Sequence, residues 1–565
     1  RDRLRSRGLG DVYKRQKPIA LFCAGLLAFT SHAQEHERKV VLHGSIQSDV
    51  LVPEEDEKIG TGSYDDWALT NTYVDLGLMS KNVEAGVRLE FTEYPLPGFE
   101  ADFKGWGVPH LYLKGISDFG FDVTVGDFYD QFGSGFIFRT YEERSLGIDN
   151  SLRGARLNVT AWKGVQFKVL GGLQRRYWDW KHGAWVGGAD LEMNLEQYSS
   201  KMRDKGITWM VGASGVLKQE GDEDIIVSGT NYRLDLPTTV SAFDVRSRFQ
   251  KGNYSVLAEY AWKSQDPSFD NGYIYHRGNA LMLSASYSKR GASALVQVKR
   301  SEDMSYHSQR SMVGTSVFIN NMPAFAYQHT YALAALYPYA TQAAKGEWAF
   351  QGEFGYSFKR NTALGGKYGT KLKLNVSHIR SLDKDPVEEF NGSTYGTDGY
   401  KSKFFKVGGE TYYQDINLQM EKKLTKAFKL NLMYMNQRYN KDVVEGHGGT
   451  IKSNIAVAEG KYQFNKKLTL RAEAQYLATR QDEGDWTYGL LELSVLPYFM
   501  FTVSDMWNNG ATNLHYYMGS VTFNYKAHRL MAGYGRTRAG YNCSGGVCRY
   551  VPASRGFQVS YNYNF

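Results

Sequence analysis

Residues 467–480 read KLTLRAEAQYLATR. Leu468, Leu470, Ala472, Ala474, Tyr476 and Ala478 fall on one side of a two-residue period; Thr469, Arg471, Glu473, Gln475 and Thr479 fall on the other. That period means a β-strand, whose side chains alternate between two faces. The charged face requires water or polar partners.

The same alternation recurs outward along the chain. Val83, Ala85, Val87, Leu89 and Phe91 oppose Glu84, Arg88, Glu90 and Thr92; Tyr254, Val256, Ala258, Tyr260 and Trp262 line up, and 371–378 repeat the pattern. At the end of the chain Phe557, Val559, Tyr561, Tyr563 and Phe565 alternate with Gln558, Ser560, Asn562 and Asn564. A soluble β-sandwich also alternates, so three further features decide. The segments are about 10 residues long and rimmed by Tyr, Trp or Phe, as an interfacial girdle requires. Tight turns (Lys81-Asn82, Lys251 to Asn253, Arg290-Gly291, Asn465-Lys466, Lys526 to His528) alternate with long polar loops (265–277, 382–403, 538–554). The chain closes on an aromatic residue in an amphipathic strand.

These features predict an all-β fold: one large antiparallel transmembrane β-barrel, with short periplasmic turns and long extracellular loops, in the cell outer membrane. At roughly 24 residues per strand and connection, the expected range is about 20–24 strands, centred on about 22. No stretch is long enough for a separate plug domain, so any plug must be made of inward-folded loops.

Composition agrees. The 565 residues include 40 Tyr, 30 Phe, 11 Trp, 59 Gly and only 12 Pro. Mean hydropathy is −0.46, which a barrel tolerates because only every second residue need be apolar. Beyond residue 33 there is no apolar run of the roughly 18 residues a membrane helix needs. The net charge is +8, of which residues 1–33 carry +5; the remainder has no basic surplus that calls for nucleic acid.

Residues 17–33, KPIALFCAGLLAFTSHA, have the Lys, apolar core and small residues of a signal peptide, with cleavage expected after Ala33. A lipoprotein reading through Cys23 lacks the usual small residue before the cysteine. Residues 1–16 share no pattern with the remainder of the chain and read as extraneous sequence, leaving 34–565 as the barrel.

The stretch 126–156, GDFYDQFGSGFIFRTYEERSLGIDNSLRGAR, is the densest in Gly, Arg, carboxylate and aromatic residues. Arg139, Glu142, Glu143, Arg144, Asp149, Arg153 and Arg156 form a candidate lumen charge cluster, since an Arg facing mid-membrane hydrocarbon costs ~2–4 kcal/mol. Two readings are open: a constriction whose Arg forks bind anionic solutes, or charge pairs that brace the barrel wall. The stretch 322–342 has irregular apolar content and two Pro, and reads as an ordered loop or folded-in segment. The pattern does not say whether it enters the lumen.

Several phrases are similar to those of an uncharacterised outer-membrane β-barrel family of Bacteroidota: DFYDQFGSG at 127–135, the run 139–150, MPA at 322–324 leading through QHTY at 328–331 to LYPYATQ at 336–342, and GGVCRYVPA at 545–553. The resemblance spans 34–565 and implies fold and location. It brings no activity or catalytic residues.

Cys543 and Cys548 are expected to form a disulfide clipping an extracellular loop; a two-thiolate metal site would need further ligands, which the neighbourhood lacks. The eleven His beyond residue 33 are scattered, without an H-E-x-x-H pair, and neither a G-x-S-x-G elbow nor a phosphate-binding Gly-rich loop occurs. No metal, cofactor or enzymatic activity is expected. The expected function is a porin-like channel for small polar solutes. The alternatives are a loop-plugged scaffold or export component that binds envelope proteins and, lower in rank, a barrel-wall hydrolase. Outer-membrane lipid is the expected surrounding.

Overall fold

The computed structural model describes residues 40–565 apart from 65, 179–182, 228–229, 313, 315 and 391. In it twenty-four strands form one sheet. Neighbours in sequence pair antiparallel, and the sheet closes where Val41–Pro53 pairs with both Leu69–Met79 and the last strand, Ser554–Asn564. The barrel therefore holds 24 strands, the upper end of the expected 20–24 and above its centre of about 22. Connections of only two residues, at 252–253, 290–291 and 526–527, fit more strands into the chain than an even spacing allows. The expected leader and the segment before it, residues 1–33, lie outside the described residues.

The tightest turns, at 80–82, 118–120, 252–253, 290–291, 424–427, 464–467, 496–498 and 526–527, all lie at one end, together with the last residue, Phe565. The other end carries the long connections, the largest being 129–151 and 303–346. The loop expected at 382–403 is shorter, because strands Thr370–Pro386 and Tyr400–Lys423 extend well into it. Their pairing slips between Ile379 and Lys384, and that bulged region carries the hairpin beyond the wall.

The alternation is inverted relative to a soluble protein. In Val83–Thr92 the charged positions Arg88 and Glu90 are buried while Val83 and Phe91 are exposed. In Leu468–Thr479, Glu473 and Gln475 are buried and Tyr476 is exposed. The apolar side chains thus form an outward belt, and the polar ones line the interior. No helix among the described residues is long and apolar enough to cross a membrane.

The interior is filled. Phe132, Phe136 and Phe138 from 129–151 join Tyr306, Ile319, Met322, Leu333 and Leu336 from 303–346 in one buried apolar cluster. Wall residues Val186, Val216, Val240, Ile455, Leu477 and Trp486 complete it from the inner face. Burying a large apolar side chain contributes about 1.5–3 kcal/mol, so the cluster holds both segments inside the barrel. Stretch 322–342 is therefore a folded-in segment that enters the lumen.

Candidate functional site: the lumen plug and its outer basin

The plug is built from two connections that bond to each other before they bond to the wall. The Arg139 amide donates to the Ile319 carbonyl at 2.8 Å, and the Asn321 amide to the Gly135 carbonyl at 3.1 Å. Asn320 Nδ2 donates to both the Phe136 and Met304 carbonyls at 2.7 Å. Gly135 has φ +91°, and a side chain there would press on Arg139 and on the Asn321 carbonyl, so glycine permits both the left-handed turn and the close approach. Wall residue Glu259 accepts from the Ser134 amide and hydroxyl, which fixes this Gly-Ser-Gly turn.

Segment 303–346 then crosses the lumen. Tyr306 OH donates to the Val240 carbonyl at 2.9 Å on one side. Farther along, the Tyr327 amide meets Ser377 Oγ at 3.3 Å, His329 Nε2 meets Asp415 Oδ2 at 2.6 Å, and the Leu333 amide donates to Gln475 Oε1 at 2.8 Å. Lys299 donates to the Pro323 carbonyl, and Tyr337 OH to Asp482 Oδ2 at 3.0 Å. The segment begins and ends at one place, for the Met304 amide donates to the Ala343 carbonyl at 2.9 Å.

Five of the seven residues in the candidate charge cluster make ion pairs with partners the sequence did not single out with them. Wall residue Arg88 bonds Asp75 Oδ1 at 2.7 Å and Glu142 Oε1 at 2.6 Å. Arg144 bonds Glu142 at 2.7 Å and Asp75 at 2.8 Å, with its guanidinium 4.5 Å from the Tyr73 ring. Asp149 is held by Arg175 and accepts from Tyr129 OH at 2.9 Å. Burial works against the Asp149 charge, but Arg175 and Arg88 hold its carboxyl well below the usual carboxylate range. Arg156 bonds Asp130 Oδ2 at 3.1 Å, as does Lys168 with Oδ1 at 2.8 Å.

The fifth ion pair stands apart from the other four. Arg153 forks onto Asp127 at 2.8 and 2.9 Å. Arg153 and Arg156 are three apart on the strand Leu152–Val159, so they stand on opposite faces and do not share one inward cluster. Arg139 makes no ion pair among the described residues and packs over the Tyr141 ring at 4.9 Å. Glu143 caps the short turn Arg144–Leu146 and accepts from Ser544 Oγ at 3.1 Å.

That last bond joins the plug to the disulfide hairpin. Cys543 and Cys548 are bonded to each other across the strands Gly540–Ser544 and Val547–Val551. Arg549 is buried over Phe99 at 4.7 Å, and the Thr341 amide donates to the Gly546 carbonyl at 2.9 Å. Gly546 has φ +91°, with Ala324 and Thr341 where a side chain would stand. The hairpin thus folds onto the plug.

Between that hairpin and the plug lies a cavity of about 410 Å³ at the long-loop end, lined by Tyr337, Lys441, Asp482, Glu483, Arg538 and Tyr541 among others. Lys441 bonds Asp482 at 2.8 Å. Burial opposes the Asp482 charge, yet Lys441 holds that carboxyl below its ordinary range. Glu483 lies above its ordinary range because burial outweighs the pull of Arg538. Arg538 bonds only weakly to the Leu336 carbonyl, at 3.4 Å, and lies over Trp486. A small ligand rich in hydrogen-bonding groups fits this mixture of aromatic and charged walls. No group of three or more His, Cys, Asp or Glu among the described residues could hold a metal ion.

Fold and site together define a class: a closed antiparallel β-barrel whose lumen is occupied by its own connections. The chain belongs to a family of unknown function, DUF6029, whose model matches residues 15–565. No curated protein matches the sequence. Among solved structures it is similar to the translocation pore of the P pilus usher PapC, at 10% identity over 93% of this chain and 99% of that one, TM-score 0.44. The siderophore receptor PirA from Pseudomonas aeruginosa matches at 10% identity over 94% and 81%, TM-score 0.40. OccD1 (OprD) matches at 11% over 83% and 97%, TM-score 0.32. At these scores no function passes from them to this chain.

Proposed function

We propose that the protein is an outer-membrane barrel of the transport class that is shut at rest by its own loops. The outer basin between Tyr337, Arg538 and Tyr541 is where a small polar ligand docks. The outward apolar belt, and short turns at one end opposite long loops at the other, support the location. The observation that carries the closed state is segment 303–346. It is bonded to the wall from Val240 to Gln475 and shares one apolar core with it. The charge pairs of 142–156 then serve as braces, in place of an open selectivity filter. No enzymatic activity is proposed.

Planar-bilayer recording of the refolded protein tests this reading. Because residues 304 and 343 are hydrogen-bonded neighbours, a short Gly/Ser link can replace 306–341 without stretching the chain between the wall strands it joins. The wild type is expected to be silent and the excised variant to conduct in large steps. Steady wide-pore conductance from the wild type would return the protein to the open-porin reading.

The apolar packing of Met322, Leu333 and Leu336 supports a second reading, a permanently shut scaffold for an envelope protein. Voltage ramps that never open the wild type, with a stoichiometric partner recovered from native membranes, would select it.

A further inference from the structure

One strip of the outer wall departs from the rest of the belt. On the strands Thr450–Gln463 and Leu468–Thr479 the outward positions Ala456, Ala458, Ala472 and Ala474 are all alanine. Larger outward side chains, Leu418, Leu432, Tyr434 and Tyr476, stand to either side. They leave a groove of about 720 Å³ in the apolar surface, which continues across Ala458 and Ala474 into a second of about 480 Å³.

Toward the long-loop end, the same outward faces change character in two steps. Two residues beyond Tyr434 and Ala456 comes an amide tier: Asn436 Nδ2 and Tyr434 OH donate to Asn454 Oδ1 at 3.0 and 2.8 Å. Two residues farther the tier is cationic. Arg438 is in register with Lys452. Arg480 follows Thr479, the partner of Ser453, which sets it beside Lys452. Arg438, Lys452 and Arg480 are exposed, and none of the three has an ion-pair partner among the described residues. Arg380, two strands away, gives one bond to the Gly409 carbonyl, while its Nε is buried without a partner. The carboxylates bordering the strip are occupied: Asp485 by Tyr476 OH and the Thr479 amide, Glu410 by Asn440.

An apolar groove, an amide tier and a row of unpaired cations, stacked along about 13 Å of strand, match one kind of molecule end to end. We propose that this strip binds a single phosphorylated membrane lipid. Its acyl chain lies over Ala456 and Ala474, its ester or amide carbonyls face Asn436 and Asn454, and its phosphate meets Arg438, Lys452 and Arg480. Guanidinium forks suit phosphate oxygens geometrically as well as electrostatically. The assignment rests on the belt facing lipid, as proposed above.

Native mass spectrometry of the refolded barrel, released from detergent after incubation with bisphosphorylated lipid A, tests it. A retained one-to-one adduct is expected, weaker by at least about tenfold in the Arg438→Gln/Lys452→Gln/Arg480→Gln variant, each basic residue near a membrane surface being worth about fivefold. Ala456→Phe with Ala474→Phe fills the groove and is expected to lose the adduct too. Inorganic phosphate in equal amount is expected to displace nothing, which separates a lipid site from a phosphate site. Undiminished retention by the triple variant, or equal retention of the dephosphorylated lipid, would overturn the assignment. The triple variant alters only exposed side chains, so it decides even where the double Phe variant fails to fold. A barrel that does not enter vesicles would overturn the membrane reading; one that enters them without lipid preference overturns only this site.

Discussion

The strands between residues 69 and 159 and those between 428 and 479 face one lumen, yet they meet the plug with different chemistry. The first region presents Asp75 and Arg88 and engages the charged turn at 142–144 through ion pairs with Arg144 and Glu142. The second presents Met433, Met435, Ile455, Val457 and Leu477 and buries Leu333, Leu336 and Tyr337 against them. Apolar contact is non-directional and tolerates small displacements. Buried charge pairs hold only in one geometry and are costly when half of a pair is removed. The wall thus aligns the plug on one side and grips it on the other.

The largest effect is expected on the charged side. Arg88 is buried between Asp75, Glu142 and Asp149. Arg88→Met leaves those carboxylates facing each other without it and is expected to cost about 3–5 kcal/mol, read as a lowered urea midpoint for barrel unfolding in vesicles. A loss under 1 kcal/mol would mean that the network does not brace the wall. On the apolar side, Leu477→Ala is expected to cost about 2–4 kcal/mol by opening a cavity against the plug. The two substitutions share no partner, so their effects should add within about 0.5 kcal/mol. Marked coupling would show that the plug yields as one body and that the division between the two sides has no energetic meaning.

The wall was legible in the sequence because a two-residue period survives in every strand, and it inverts burial without changing the pattern. Of the plug, the sequence marked 322–342 as an ordered loop or folded-in segment without placing it in the lumen; the signal that places it there lies in the wall. At 455–458, IAVA, Ile455 and Val457 face inward while Ala456 and Ala458 face outward, so both faces are apolar there. A strand apolar on both faces requires something apolar inside the barrel. The charge partners were not legible: Arg88 lies 54 residues from Glu142, and only closure of the wall brings them together. Nor does sequence density separate Arg153 from Arg156, whose faces differ by strand parity alone.

The disulfide hairpin sharpens the comparison, since it touches both kinds of fastening: Ser544 bonds Glu143, and Gly546 abuts Ala324. Cys543→Ser with Cys548→Ser opens a small covalent loop, worth about 2 kcal/mol in chain entropy. Hydrogen exchange is expected to rise within 540–551 and at Thr341 while the wall strands stay protected. Faster exchange throughout 303–346 would make the hairpin the latch of the whole plug.

Acid should separate the two sides with the smallest effect of all. Asp149 has its carboxyl held below the ordinary carboxylate range in the folded protein. Its contribution to stability is therefore fully present above the unfolded value, near pH 4, and is lost as the pH falls toward the depressed folded value. Protonation removes the attraction of Arg175 and Arg88 at Oδ2, but Tyr129 OH and the Ser151 amide still donate to Oδ1, so the loss is gradual and partial. Below about pH 4, exchange or proteolysis should open 142–151 first, while 333–337, gripped by hydrocarbon, keeps its protection. Asp149→Asn should remove that acid sensitivity and lower stability at neutral pH. Simultaneous opening of both segments in acid would show that alignment and grip are one interaction, with the charged turn controlling the whole plug.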